Sequence, residues 1–485
     1  MKSVFEQTIA QFSEVGYVEE VHSAVIRVSG LPGAHLEEVV LFENGAEGFI
    51  YGLEDVFIDV ILINEGSTSI GERVARTGKP ITIEISTAIL GSALDALGKP
   101  IIYKAVKQSE KKIVREVFDK VPGIGARVPI KKPFHTGIAV VDITIPLGRG
   151  QRELVLGDRK TGKTQFLLQV LRNQVKTGAI CIYCAIGKRE SEIFELIEEL
   201  KNPIYGSSVI VFASGGNEGV GRIYLTPFSA MATAEYFRDL GKDVFLILDD
   251  LSTHAQFYRE MALLARRFPG RASYPGDIFH VHAELLERAG AFKIQSGAEA
   301  TITCLPVAQS VFGDITGYIT TNLMSMTDGH LYLDSEIFDE GRRPALNPFL
   351  SVTRVGHETQ SSLMRDISRE VTSFLITYRR AQEFSHFGSE VSIAVKDTLS
   401  RGKLLYTLFD QSSDILIPSH FAAFVVAHIW AGSFKNIDTD ELKKRVVNGV
   451  TKFEDPAFKA RFDAIFNSAP DFKTLITAVS QLPLP

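Results

Sequence analysis

Only three cysteines occur in 485 residues, too few for a disulfide framework, which points to a reducing compartment. Cys181 and Cys184 are spaced as CxxC, but they lie in AICIYCAIG, an apolar run that reads as a buried strand. Residues three apart on a strand face opposite ways, so neither a shared metal nor an easy disulfide is expected of them. The N-terminus, MKSVFEQTIAQFSEVG, lacks a basic stretch followed by an apolar one, so no signal peptide is expected. Short-period repeats and low-complexity tracts are absent too. Neither sign of charge dominates: 52 basic against 58 acidic side chains leave a net of −6. That balance argues against a surface built mainly for nucleic acid. Long uncharged runs are scarce, and the exception is 415–434, twenty residues without Asp, Glu, Lys or Arg. It is long enough to span a bilayer, yet Pro418, Ser419, His420, His428 and Ser433 interrupt it. A packed helix in a helical region is the expectation, with membrane association made through partners.

Apolar residues make up 45% of the chain and charged residues 23%, ample material to offset chain entropy. The length exceeds one compact core and suggests about three domains. Residues 1–60 carry eleven acidic and two basic side chains. SAVIRVSG, VFIDVILI and VVLFENGAEGFIYGL read as strands, the last with Asn44-Gly45 as a hairpin turn. A small closed β domain is expected over roughly residues 8–77. From Lys104 to Lys132 the balance reverses, nine basic against three acidic, which reads as a solvated face. After Gly137, short apolar runs (RELVL, AICIYC, SVIVFA, VFLIL, TITCLPV) alternate with helical patterns such as TQFLLQVLRNQV. This alternation predicts parallel βαβ units with helices on both faces. Beyond about residue 360 amphipathic helices dominate.

The strongest motif is GDRKTGKT, Gly157, Asp158, Arg159, Lys160, Thr161, Gly162, Lys163 and Thr164, followed by Gln165. It stands between a strand and a helix, the context a P-loop requires. Its glycines let backbone N–H groups close around phosphate oxygens at a helix N-terminus. Lys163 would reach the β- and γ-phosphates of ATP or ADP, and Thr164 would ligate Mg²⁺. VFLILDD supplies a carboxylate at the end of another buried strand, with Asp249 as the metal-side residue and Asp250 beside it.

GRGQRELVLGDRKTGKTQ, DDLSTHA, RRFPGRASYPGDIFHVHAELLERAG, YITTNLMSMTDGHLYL and RPALNPFLSVTRVG, in this order, resemble the alpha subunits of F-type ATP synthases. The likeness covers nearly the whole chain. It implies a six-stranded N-terminal β-barrel (1–77), an α/β P-loop core of the RecA-like type (78–360) and a C-terminal helical domain (361–485). It further implies an alternating ring with catalytic beta subunits, a central-stalk gamma subunit, a peripheral-stalk delta subunit and a membrane ion-translocating sector. Such a complex would sit on the cytoplasmic face of a bacterial membrane and would not bind nucleic acid. Alpha subunits of this kind bind nucleotide without turning it over.

The residues support that division of labour. Hydrolysis needs a group that orients or deprotonates the attacking water. In the beta subunits a Glu follows the Gly that ends the strand after the P-loop helix; here that strand is AICIYCAIG and the next residue is Lys188. Glu190, two residues on, reads as a surface residue opening a helix. SVTRVG places Arg354 where alpha subunits present an arginine finger to a neighbouring beta site. On the base side the resemblance assigns Phe338 and Arg343, and near the base Gln411 with Ser413 in place of a second glutamine. The chain departs from the family at Lys160 and Lys188, both glutamines there. These extra cations either tighten anion binding, partly replace Mg²⁺, or point to solvent. The N-terminal segment is shorter than usual, which puts the peripheral-stalk contact in doubt. LGKPI lacks the family's Asp-Gly, and Thr353 replaces a Ser before Arg354. His280 and His282 form HxH, for which a structural role is expected. A rival reading is a self-sufficient homohexameric ATPase resembling flagellar or type III export motors, but those need base and finger on one chain, and position 188 opposes it. A ring resembling the Rho termination factor is opposed by the acidic N-terminal domain.

Overall fold

The computed structural model describes residues 4–64, 68–102, 112–206, 208–386, 392–435 and 437–484. Residues 103–111, the start of the basic run, lie outside them. The chain divides into two compact units. One comprises Met1–Val128, Gly178–Gln309 and Thr316–Met326, the other Pro129–Thr177, Ser310–Ile315 and Thr327–Pro485.

The first unit opens with a closed antiparallel barrel of six strands, β1 (Gly16–His22), β2 (Val25–Ser29), β3 (Glu38–Phe42), β4 (Glu47–Leu53), β5 (Phe57–Leu62) and β6 (Arg73–Pro80). They close in the order β1-β2-β5-β4-β3-β6. Side chains alternate across the wall, so that Val18, Ile26, Val28, Val40, Phe42, Ile50, Val60 and Val74 fill the interior. The β3–β4 turn falls at Asn44-Gly45, where Gly45 has φ +87, a conformation glycine adopts without a Cβ penalty. The β domain expected from about residue 8 begins later, because Val4–Phe12 is a helix. Phe5, Ile9 and Phe12 share one face of it, and two barrel arginines lie on its rings, Arg73 5.3 Å from Phe5 and Arg76 4.9 Å from Phe12.

The same unit holds five parallel strands in the order Ala93–Leu94, Val209–Gly215, Ile180–Lys188, Val244–Asp249 and Glu299–Gln309. Pro100–Ile102 and Gly290–Lys293 add antiparallel partners. Residues 180–186 and 244–249 are buried throughout, as strands covered on both faces must be. Cys181 and Cys184 are buried thiols in the first of these strands, and Cys304 is buried in Glu299–Gln309.

In the second unit, Glu153–Gly157 runs parallel to Gly329–Leu333, and Val352–Thr353 adds an antiparallel edge. The helix Lys163–Lys176 follows the first of these strands. The chain then turns helical: Ser362–His386, Ile393–Phe409, Ser419–Trp430, Thr439–Lys452, Pro456–Ser468 and Phe472–Ala478. Within the uncharged run 415–434, Pro418 precedes a helix of only 12 residues whose Phe421–Ala427 stretch is fully buried. Packing inside the helical domain accounts for its composition. Among the described residues, no helix is long and apolar enough to cross a membrane.

Candidate functional site

The strand Glu153–Gly157 delivers the chain into the loop 158–162 and the helix Lys163–Lys176. Two positions turn it with positive φ, Lys160 at +66 and Gly162 at +84. Gly157 fits because a Cβ there would stand 2.5 Å from the Leu333 carbonyl oxygen. Lys163 folds back across the loop, its ammonium donating to the carbonyls of Gly157 at 2.7 Å and Asp158 at 2.5 Å. The buried Thr161 hydroxyl donates to the Asp158 carbonyl at 2.9 Å. Asp158 itself accepts from the Ser310 hydroxyl at 2.5 Å and the Gly313 amide at 2.8 Å. Ser310 and Gly313, which sequence reasoning missed, thus brace the loop from a segment some 150 residues away. Arg159, Lys160, Thr164 and Gln165 are exposed around the rim. The helix starts at Gly162 without a side-chain cap, and the N-terminal end of a helix favours an anion through its N–H groups and dipole.

Phe338 lies close to this loop, since a Cβ on Gly162 would sit 3.5 Å from its ring. The Arg343 guanidinium lies over the Phe338 ring, 3.5 Å from its centroid, and donates to the Phe338 carbonyl at 2.7 Å. Phe338 and Arg343 therefore form a cation–π pair. Gln411 is placed differently: it is 4% exposed, and its amide nitrogen donates to the carbonyls of Gly137 at 2.8 Å and Ile415 at 2.7 Å. Its oxygen accepts from the Ala139 amide at 3.0 Å. Both donors are spent on backbone, which makes Gln411 a clamp between distant segments. Ser413 is half-buried nearby in sequence.

In the first unit, the strand Ile180–Lys188 pairs with Val244–Asp249 in a register that sets Ala185 beside Asp249. Gly187 then turns with φ +58, and a Cβ on it would meet the Phe257 ring at 2.7 Å. The turn carries Lys188 onto the acidic pair. Its ammonium lies 2.8 Å from Asp249 Oδ1 and 3.3 Å from Asp250 Oδ2. The Tyr183 hydroxyl donates to Asp249 Oδ2 at 2.7 Å. Asp250 accepts from the Thr253 amide at 2.6 Å, capping the helix Leu251–Leu264, and from the Gln309 amide at 2.7 Å. Burial alone would lower the Lys188 pKa, but the charges of Asp249 and Asp250 outweigh it and raise it. Lys188 is a cation at neutral pH. Glu190 is exposed at the start of the helix Glu190–Leu200.

Arg354 follows the edge strand Val352–Thr353 and is exposed, with one guanidinium N–H donated to the Thr327 carbonyl at 3.3 Å. His280 and His282 do not act together. His282 is buried 3.1 Å from His254, while His280 is exposed beside Glu284. No group of three or more His, Cys, Asp or Glu side chains that could hold a metal occurs among the described residues.

Residues 137–353 match the model of the nucleotide-binding domain of the ATP synthase alpha/beta family, and 360–465 match its C-terminal domain. The chain belongs to the ATP synthase alpha/beta family. Its relatives include ATP synthase subunit alpha of Ehrlichia canis (strain Jake), 39% identical over 92% of this chain and 87% of that protein. Those of Dictyoglomus thermophilum and Rickettsia bellii are 38% and 37% identical, covering 90% and 83% of this chain and 85% and 80% of those proteins. The P-loop, Asp249, Lys188, Phe338 and Arg343 fall inside the family's nucleotide-binding domain, Arg354 follows its last matched residue, and Gln411 lies inside the C-terminal domain.

Proposed function

We propose that this chain is the regulatory, nucleotide-holding alpha subunit of a rotary F-type ATP synthase, and that it lends Arg354 to the catalytic site of an adjacent beta subunit. The observation that carries this reading is Lys188. Where the water-activating carboxylate of a catalytic subunit would stand, the strand ends in a lysine ion-paired to Asp249 and Asp250. An ammonium held by two carboxylates cannot take a proton from water, so nucleotide bound here has no base to start hydrolysis. The P-loop keeps what binding needs: a helix N-terminus that favours phosphate, Lys163 at the loop, and the Phe338–Arg343 pair for an adenine ring. Gln411 ties the backbone of Gly137, Ala139 and Ile415 together, and Ser413 is half-buried two residues on.

Magnesium was expected on Thr164 and Asp249. Thr164 is exposed and able to offer its hydroxyl, whereas both oxygens of Asp249 are engaged by Lys188 and Tyr183. A carboxylate has about four lone-pair sites, so Asp249 keeps capacity to accept from an ion's water shell, and Thr164 and Asp249 are the residues that would hold magnesium. In the assembly, beta subunits would alternate with this chain around a gamma shaft, with delta at the peripheral stalk and the ion-translocating sector in the membrane. The complex would lie at the cytoplasmic face of a bacterial membrane, and ATP synthesis or hydrolysis would belong to the whole. The exposed Arg354, free of any carboxylate partner within ion-pair distance among the described residues, suits a group offered to a neighbour.

Lys163→Ala tests the nucleotide site. Its loss should weaken nucleotide occupancy of this chain more than it slows chemistry in a ring reconstituted with the catalytic partner. Equal losses in both readouts would mean that this site is itself catalytic.

A further inference from the structure

A carboxyl is buried in the second unit behind the strand end that carries Arg354. Glu153 opens the strand Glu153–Gly157 and is 0% exposed. The register sets Glu153 beside Gly329 and Gly329 beside Thr353, so one row crosses three strands and ends on the residue before Arg354. Gly329 leaves room for the carboxyl to lie across that row. A Cβ there would stand 2.7 Å from both carboxyl oxygens of Glu153 and closer still to the Val352 carbonyl oxygen.

Gln151, itself fully buried, links the carboxyl to the edge strand. Its amide nitrogen donates to Glu153 Oε2 at 2.7 Å and to the Thr353 hydroxyl at 3.1 Å, and its oxygen accepts from the Gly148 amide at 2.8 Å. The Thr353 hydroxyl in turn donates to the Pro146 carbonyl at 3.0 Å and accepts from the Gly356 amide at 3.1 Å. The other carboxyl oxygen, Oε1, is buried without a hydrogen-bond partner, a deficit that an apolar residue at this position would not carry. Burial lifts the Glu153 pKa well above the usual carboxylate range; the Gln151 bond opposes this, Asp328 adds to it, and the charge of Arg354 opposes it. The neutral acid is therefore favoured. It still accepts from Gln151, and it does not draw the Arg354 guanidinium back toward the sheet as a carboxylate would.

We propose that Glu153 is a positioning residue for Arg354: through Gln151 it fixes the Thr353 hydroxyl, and with it the strand end from which the guanidinium is presented to the neighbouring subunit. The proposal rests on the finger reading of Arg354 and adds to it what holds the finger in place.

The test is single-turnover ATP hydrolysis by rings reconstituted with the catalytic partner, comparing wild type, Glu153→Ala, Arg354→Ala and the double variant. A reacting group displaced by about 1 Å costs about a hundredfold, so Glu153→Ala is expected to slow the ring by about tenfold or more, with ADP binding by the isolated chain unchanged. In the Arg354→Ala background the same substitution should change the rate by less than about twofold. Glu153→Gln, which keeps an uncharged acceptor for Gln151, should recover the rate to within about threefold of wild type. A merely structural carboxyl would slow both backgrounds by the same factor, and that result would overturn the proposal. So would Glu153→Gln as slow as Glu153→Ala. Collapsed turnover in Arg354→Ala beside a Glu153→Ala ring as fast as wild type would overturn this proposal alone. Near wild-type turnover in Arg354→Ala would overturn the finger reading and this proposal together. Should Glu153→Ala fail to fold, Thr353→Val, which removes the hydroxyl at nearly constant volume, takes its place in the cycle; non-additivity with Arg354→Ala is again expected, and additive losses would overturn the proposal.

Discussion

Replacing Arg354 by alanine separates a functional arginine from a structural one, because the two roles predict very different magnitudes. Within this chain Arg354 makes little. Its side chain is exposed and gives one hydrogen bond to the Thr327 carbonyl at 3.3 Å. Such a bond is worth at most about 1 kcal/mol, and for a unit of this size that moves Tm by about 2–4 °C. Its backbone amide bond to the Asp328 carbonyl, 2.9 Å, survives the change. The nearby Arg152–Asp328 ion pair at 2.8 Å does not depend on it either. If the guanidinium instead stabilises a phosphoryl group on a neighbouring subunit, its loss costs about 10³ to 10⁵ in rate. At ~1.4 kcal/mol per decade this is roughly 4–7 kcal/mol of barrier, several times the largest effect on folding. The assay is steady-state ATP hydrolysis by a ring reconstituted with the catalytic partner, with thermal melting and ADP binding measured on the isolated variant. The expected result is collapsed turnover, a Tm within a few degrees of wild type and unchanged ADP affinity. Turnover near the wild-type rate would refute the finger assignment. Lost turnover with a Tm fall well beyond 4 °C would reduce Arg354 to a structural residue.

Two further outcomes test the folded state. Arg288 and Glu235 form a bidentate pair, each 2% exposed, with a third bond from Arg288 to the Val117 carbonyl at 2.8 Å. Arg288→Ala leaves the buried Glu235 with only the longer ion pair to Arg238 at 3.8 Å and should destabilise the protein by about 3 kcal/mol in urea unfolding, whereas a loss under 1 kcal/mol would mean that the pair is not closed in solution. His428 is buried among Phe424, Phe434 and the Leu482 carbonyl, and burial lowers its pKa to about 4. The unfolded chain therefore takes up a proton between pH 6.5 and 4 that the folded chain refuses, and stability falls as pH falls through that window. Relative to His428→Gln, wild type should lose about 2–3 kcal/mol between pH 7 and pH 4; a pH-independent difference would contradict the burial argument.

What was legible in the sequence depended on how local its cause was. The P-loop reads directly because its glycines, its lysine and the flanking strand and helix lie within about 25 residues, and spacing alone sets their geometry. The barrel strands and the buried parallel strands were equally plain from alternation and from continuous apolar runs. The uncharged run 415–434 resolved as a buried helix for the reason its histidines and proline suggested. The N-terminal helix was missed because what holds it, Arg73 and Arg76 on Phe5 and Phe12, is contributed from more than 60 residues away. Gln411 was assigned by motif to the base, yet its amide is consumed by Gly137 and Ala139, a pairing that no local pattern announces. Lys188 was noticed as unusual, but three fates for its charge stayed open. Only the register of Ile180–Lys188 against Val244–Asp249, together with the turn at Gly187, shows that it closes on the acidic pair. Ser310 and Gly313 carry no signal of their own and become visible only through their hold on Asp158.

The central claim is that this chain holds nucleotide but does not hydrolyse it, and one sample tests both halves. ATP hydrolysis by the purified chain alone is measured while its bound nucleotide is quantified after rapid desalting. Bound nucleotide without sustained turnover is the predicted result, and it directs the search for activity to a catalytic partner. Sustained turnover without that partner would contradict the account, because it would require a water-activating group that the lysine at position 188 cannot supply.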